Sequence, residues 1–137
     1  MKVRGLYVIV DLAHVPASPA RFAEECLKGR APVLQLRDKR RNDSERTRQF
    51  FRKTASEIAS LKNKYPFLFI INDDLEAAEE FHADGIHVGK DDSSINVCRR
   101  LLGDSKLVGY SSHSLEEAIE AERNGADYVA FGAIYPS

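Results

Sequence analysis

With 137 residues the chain is long enough for one domain with a real core. Apolar residues make up 43% and charged residues 30%, an ordinary globular balance, and a net charge of −1 sets up no global field for nucleic acid or an acidic membrane. The longest apolar runs, such as Phe67 to Ile71, are far too short to span a bilayer.

The chain opens directly into a strand candidate, Gly5-Leu-Tyr-Val-Ile-Val-Asp11. No signal-peptide apolar stretch precedes it, so the expected location is cytoplasmic. The turn signal Pro16-Ala-Ser-Pro19 then introduces a helix near 17–29. Further strands are expected over 32–37, 67–71, 85–88, 106–110 and 127–132, with helices near 43–63, 74–83, 93–102 and 114–124. The last helix opens with Ser114 and Glu117 in capping-box spacing and closes on Asn124-Gly125. The strands are mostly continuous apolar runs, as strands buried on both faces should be. Strand–helix alternation predicts parallel pairing with right-handed crossovers in a single α/β domain over 1–137. An open doubly wound sheet and a barrel both satisfy that pattern, and both place ligands at the C-terminal strand ends. No Gly-x-Gly-x-x-Gly follows the first strand, which argues against a dinucleotide site. Cys26 and Cys98 fall on helical faces expected to be buried and are read as inert core thiols.

The strand ends carry the residues able to do chemistry. Gln35, Arg37 and Lys39 are spaced by two, so they share one side while the strand conformation lasts. An amide, a guanidinium and an ammonium facing one way make a cradle for phosphate oxygens. The plainer reading is a solvated basic strand end, extended by Arg40 and Arg41. Asp73 and Asp92 follow the third and fourth strands, and adjacent strands lie about 5 Å apart. They could bracket Mg2+ together with ligand phosphate oxygens and water, or could simply cap the helices that follow. Ser111, Ser112, His113 and Ser114 form a further anion-suited turn after the fifth strand. His87, inside the fourth strand, either lines the interior or is satisfied in the core.

Taken in order, these segments resemble one family. Gln35-Leu-Arg-Asp-Lys39, Phe69 to Ala78, Ala83 to Gly89, Gly109 to Ala118 and Gly125 to Pro136 match the signatures of the thiamine-phosphate synthases and their sister group, the thiazole tautomerases. The resemblance covers essentially the whole chain and implies a TIM (β/α)8-type barrel, of which about six of eight βα units are present. It implies a Mg2+-dependent transferase that joins a hydroxymethylpyrimidine diphosphate to a thiazole phosphate and releases pyrophosphate. On this resemblance Gln35, Arg37, Lys39, Asn72 and Ser111 would hold the diphosphate, with Arg37, Lys39 and Ser111 serving catalysis. Asp73 and Asp92 would bind Mg2+, and His87 and Tyr7 would lie near the pyrimidine.

The chain departs from the family at Lys90, where Gln is usual, at Gly29-Arg30-Ala31 and at Val10-Asp11. Family members continue beyond the stretch ending at Ser137 into a phosphate-binding Lys and two further βα units, so residues 1–137 are expected to lack the barrel's C-terminal quarter, and the native chain is expected to run on past Ser137. Otherwise its apolar edge strands would need another subunit, as in a homo-oligomer. Two other readings remain: a tautomerase using His113 for proton transfer, and a non-catalytic barrel fragment that binds phosphates. No nucleic-acid or membrane partner is expected.

Overall fold

Strands and helices alternate along the whole of the computed structural model, which describes residues 1–136; Ser137, and any continuation expected after it, lies outside the described residues. The strands are β1 (Tyr7–Asp11), β2 (Val33–Arg37), β3 (Leu68–Asn72), β4 (Gly85–Val88), β5 (Leu107–Ser112) and β6 (Tyr128–Phe131). The helices are α1 (Pro19–Lys28), α2 (Glu45–Ser60, followed by a 3-10 turn), α3 (Leu75–Glu80), α4 (Ile95–Leu102) and α5 (Leu115–Arg123). Every expected element is present, β4 at its expected bounds and the others with ends shifted by one to a few residues.

The helix starts follow local chemistry. Pro19 opens α1 with its fixed φ. Ser44 and Thr47 form a reciprocal capping box on α2. The side chains of Asp74, Ser94 and Ser114 accept from the backbone N–H three residues on, at the starts of α3, α4 and α5. Glu117 completes the cap of α5 one residue further back than its spacing predicts: its carboxylate accepts from the N–H of His113 at 2.8 Å.

All neighbouring strands are parallel, and the sheet order is β1-β2-β3-β4-β5-β6. A doubly wound sheet reverses direction at a switch point; this order never reverses. The doubly wound alternative is therefore excluded. Right-handed crossovers in an unreversed order put every helix on the same face of the sheet.

That face carries the main core. Val10, Leu34, Leu36, Phe69 and Ile71 pack with Ala23, Leu27, Phe51, Ala55 and Ile58 from α1 and α2. Ile86, Val88 and Val108 pack with Ile95, Cys98 and Ala121 from α4 and α5. Burying each large side chain is worth about 1.5–3 kcal/mol. Cys98 is in this core as expected, whereas Cys26 is only half buried.

Side chains alternate across a strand, so the other face takes the intervening residues. Val33, Ile70 and Leu107 close its lower end as a small apolar plug. Two residues further along their strands come Gln35, Asn72 and, on β4, His87, all buried despite being polar. Such groups must find partners or hold something. Among the described residues β1 and β6 are paired on one side only, and Ile9 and Phe131 are 51% and 49% exposed there. Among the described residues no helix is long and apolar enough to cross a membrane.

Candidate active site

The helix-free face holds a chain of polar contacts built from five strands. Gln35 Nε2 donates to the Tyr7 hydroxyl at 2.8 Å, and that hydroxyl lies 2.7 Å from the Tyr128 hydroxyl. Tyr128 OH sits 3.1 Å from His87 Nδ1, and His87 Nε2 sits 2.7 Å from Ser111 Oγ. The His87 and Tyr128 rings are 5.5 Å apart, tilted by 35°. His87 therefore lines the interior rather than sitting in the helix-side core. Burial, aided by the charge of Lys39 and only partly opposed by Asp92, brings its pKa down to about 4, so the ring is neutral at pH 7. Burial pushes the Tyr7 and Tyr128 phenols up, which keeps both protonated.

Two cavities meet over this network, each of about 370 Å³. The inner one is walled by Tyr7, Ile9, Gln35, His87 and Tyr128. The outer one is walled by Lys39, Lys90, Asp91, Asp92 and His113. Arg37, Asn72 and Ser111 line both and so form the boundary between them. The inner cavity is aromatic and amide-lined, fit for a planar polar ring. The outer one gathers cations, a hydroxyl and carboxylates, fit for an anion with a metal. Gln35, Arg37 and Lys39 do share one side, but in two steps: Gln35 faces the inner cavity, Lys39 the outer, and Arg37 both. Arg37 is also ion-paired with Asp11, its neighbour in register on β1.

Neither helix-cap reading of the two carboxylates holds. Asp74, not Asp73, caps α3, and Ser94, not Asp92, caps α4. Asp73 sits just past β3 with φ +55, a left-handed conformation uncommon outside glycine, and its N–H donates to the His87 carbonyl at 2.9 Å. Asp92 is oriented by the Gly89 N–H, which donates to its Oδ2 at 2.8 Å. Burial first, and then the neighbouring Asp92 carboxyl, pushes the pKa of Asp73 up, against the pull of Arg41 and Lys39. Asn72 Oδ1, on the wall shared by both cavities, is buried without a hydrogen-bond partner. Among the described residues no group of three or more His, Cys, Asp or Glu side chains is placed to hold a metal. The donor set is thus two carboxylates beside an unpartnered oxygen. That fits Mg2+, which leaves its remaining positions to water and ligand oxygens.

Two participants were not singled out by the sequence. Tyr128 reads as one more apolar strand residue, yet it joins Tyr7 to His87. Arg41 reads as part of a solvated basic run, yet its side chain is only 11% exposed. It donates to the Asp73 carbonyl at 2.8 Å and to Asp74 Oδ2 at 3.0 Å, tying the loop after β2 to the turn that bears Asp73. A tyrosine and an arginine among apolar or basic neighbours carry no spacing signal; only the strand register reveals them. His113, in contrast, lies at the rim with its side chain 69% exposed, 3.6 Å from Glu117.

The comparisons with known proteins bear on the family and the fold. A family model described as thiamine monophosphate synthase matches residues 6–137. The chain is similar to the thiamine-phosphate synthase of Methanospirillum hungatei, at 41% identity over 134 residues that cover 97% of this chain and 63% of the relative. It is 42% identical to that of Nitrosococcus oceani over 137 residues, covering 98% of this chain and 61% of the relative. Its fold matches a solved thiamine phosphate pyrophosphorylase from Pyrococcus furiosus with a TM-score of 0.80 and 33% identity, covering 95% of this chain and 60% of that one. The chain thus spans less than two thirds of the length of these relatives. With its unreversed parallel sheet and its match to the family model from residue 6 onward, it belongs to the thiamine monophosphate synthase family.

Proposed function

We propose that this chain carries the pyrimidine-diphosphate side of a thiamine-phosphate synthase site. The enzyme would transfer the hydroxymethylpyrimidine group from its diphosphate to a thiazole phosphate and release pyrophosphate. The observation that carries this reading is the pair of joined cavities, one aromatic and one charged, that share Arg37, Asn72 and Ser111. A ring joined to a diphosphate has that same division.

In this reading Tyr7, Gln35, His87 and Tyr128 hold the pyrimidine, and Arg37, Lys39, Asn72 and Ser111 hold the diphosphate. Asp73 and Asp92 hold Mg2+, which when bound neutralises charge on the diphosphate. As the C–O bond to the diphosphate breaks, Arg37 and Lys39 face the growing negative charge, where preorganised donors count most. The electron-rich ring supports positive charge at its methylene carbon, and the thiazole nitrogen forms the new C–N bond there. No side-chain nucleophile is needed; the protein positions the partners. The neutral, buried His87 would leave the pyrimidine pocket uncharged beside the cationic diphosphate pocket. The reading takes the six-stranded sheet as part of an eight-stranded barrel of the TIM type, with the thiazole phosphate met by groups beyond those described.

Calorimetry with inorganic pyrophosphate and with the pyrimidine diphosphate, with and without Mg2+, tests this. Both ligands should bind, Mg2+ should strengthen both, and the pyrimidine should add affinity. A pyrimidine diphosphate that binds no better than pyrophosphate would remove the inner cavity from the reading. The tautomerase alternative draws no support from His113, which faces the rim on Glu117.

A further inference from the structure

The contacts linking Gln35, Tyr7, Tyr128, His87 and Ser111 form an unbranched line, and each junction needs one donor and one acceptor. We propose that this line runs in one direction, from Gln35 to Ser111, so that His87 is held as the Nε2–H tautomer and the Ser111 hydroxyl hydrogen is left free to donate to an anion in the outer cavity. Tyr7, Tyr128 and His87 are then positioning residues: they act through Ser111 and set which of its faces the ligand meets.

The direction follows from the first junction. An amide nitrogen only donates, so Gln35 Nε2 at 2.8 Å makes the Tyr7 oxygen an acceptor. The Tyr7 hydrogen is then free for Tyr128 at 2.7 Å. With its oxygen occupied in this way, Tyr128 donates its own hydrogen to His87 Nδ1 at 3.1 Å. A neutral imidazole has one N–H. With Nδ1 accepting, that N–H is on Nε2, and it points at Ser111 Oγ 2.7 Å away. A serine oxygen that accepts from histidine retains its own hydrogen for another partner.

The opposite direction fails at its far end, where Tyr7 would have to donate to an amide nitrogen that cannot accept, and it makes Ser111 a donor to His87. The serine would then offer only lone pairs to the cavity it shares with Arg37 and Lys39. That would set an acceptor against an anion that the surrounding cations attract. The charge of the cavity and the orientation of Gln35 therefore select the same direction.

The inference deepens the functional reading, since it names what Ser111 does in the anion pocket, but its first test needs no ligand. The protein has four histidines, so a long-range 1H–15N spectrum of a histidine-labelled sample is simple enough to assign, with His87→Gln identifying the signal. The proton should be found on Nε2 of His87 in the wild-type protein. A proton on Nδ1, or on both nitrogens at pH 7, overturns the proposal whatever the protein binds. Tyr128→Phe removes the donor to Nδ1; it should release the tautomer preference and weaken pyrophosphate binding by roughly tenfold, the size of one charge-assisted hydrogen bond. Combined with Ser111→Ala it should cost little more than Ser111→Ala alone, because both changes remove the same donor. Additive losses overturn the coupling. If wild-type protein binds no pyrophosphate, the functional reading fails, and the spectrum still decides the direction of the line.

Discussion

Gly109 leaves the space that Tyr128 occupies. A Cβ built on Gly109 would lie 2.1 Å from Tyr128 Cζ and 2.6 Å from His87 Nδ1, far inside contact distance. Gly109 stands in register with His87 on one side and Tyr128 on the other. The aromatic wall of the inner cavity therefore depends on a missing methyl group. Gly109→Ala should push Tyr128 off His87, lower stability by about 1–3 kcal/mol as overpacking does, and weaken the pyrimidine diphosphate at least several-fold. Pyrophosphate alone should lose less than the pyrimidine diphosphate, and no more than the roughly tenfold expected of Tyr128→Phe, since the outer cavity keeps its walls and only the line to Ser111 is broken. Comparing the two ligands on this one variant checks the division of labour between the cavities.

Arg37 and Lys39 are expected to hold the diphosphate. Each charge-assisted contact is worth on the order of 1.5–3 kcal/mol, so Arg37→Ala should weaken pyrophosphate by roughly tenfold or more. Thermal unfolding should show a second, smaller effect from the loss of the Asp11 partner, which is only 14% exposed. Titration of wild type and variant under matched salt would settle it: equal affinities mean that the cations only balance nearby carboxylates.

Asp73→Asn and Asp92→Asn should each remove the Mg2+ dependence of diphosphate binding. Because neither residue caps a helix and the two repel each other, neither change should reduce the unfolding free energy. Ser94→Ala supplies the contrast, since it removes a true N-cap; it should cost about 1 kcal/mol and leave the response to Mg2+ intact. Parallel chemical denaturation and calorimetry on the three variants separate a metal site from a cap.

Acid should destabilise the protein through His87. Its folded pKa is about 4, below the value of about 6.5 for a free histidine. Between those values the unfolded chain binds a proton that the folded chain refuses, so stability rises with pH across this window and is lost as pH falls through it. Asp73, with a raised pKa, works in the opposite sense, as stability contributed by its protonated form is lost on ionisation. The two are separated by measuring wild type against His87→Gln: the wild type should lose on the order of 3 kcal/mol more than the variant between pH 7 and pH 4. Denaturation curves that run parallel across this range would show that His87 takes up its proton equally in the folded and unfolded chain.

Periodicity was enough to find the strands and helices, because buried parallel strands are continuous apolar runs and each helix here opens with its own side-chain or proline signal. It could not choose between an open sheet and a barrel, since strand order is a long-range property that no local pattern encodes. The candidate site was legible where spaced polar residues end the strands, as with Gln35, Arg37, Lys39, Asp73 and Asp92. It was hidden where function sits in residues that also serve as ordinary strand or loop residues. Tyr128 gains its role only when β6 comes beside β5 in register, and Arg41 only when the loop after β2 folds over the turn after β3.

The unreversed strand order also sets a sequence of assembly. Each strand pairs with the one before it, so a βα unit can dock as soon as it has formed, at the modest loop-closure cost of a short separation. The Tyr7–Tyr128 contact is different: it joins the first strand to the sixth, across 121 residues. During synthesis, then, the sheet grows with its inner cavity unfinished until the last described strand arrives. Shortened chains ending before β6 could hold much of their helix-side core and still have no pocket for a ring, so a ligand of the inner cavity would report the docking of β6, blind to every earlier stage.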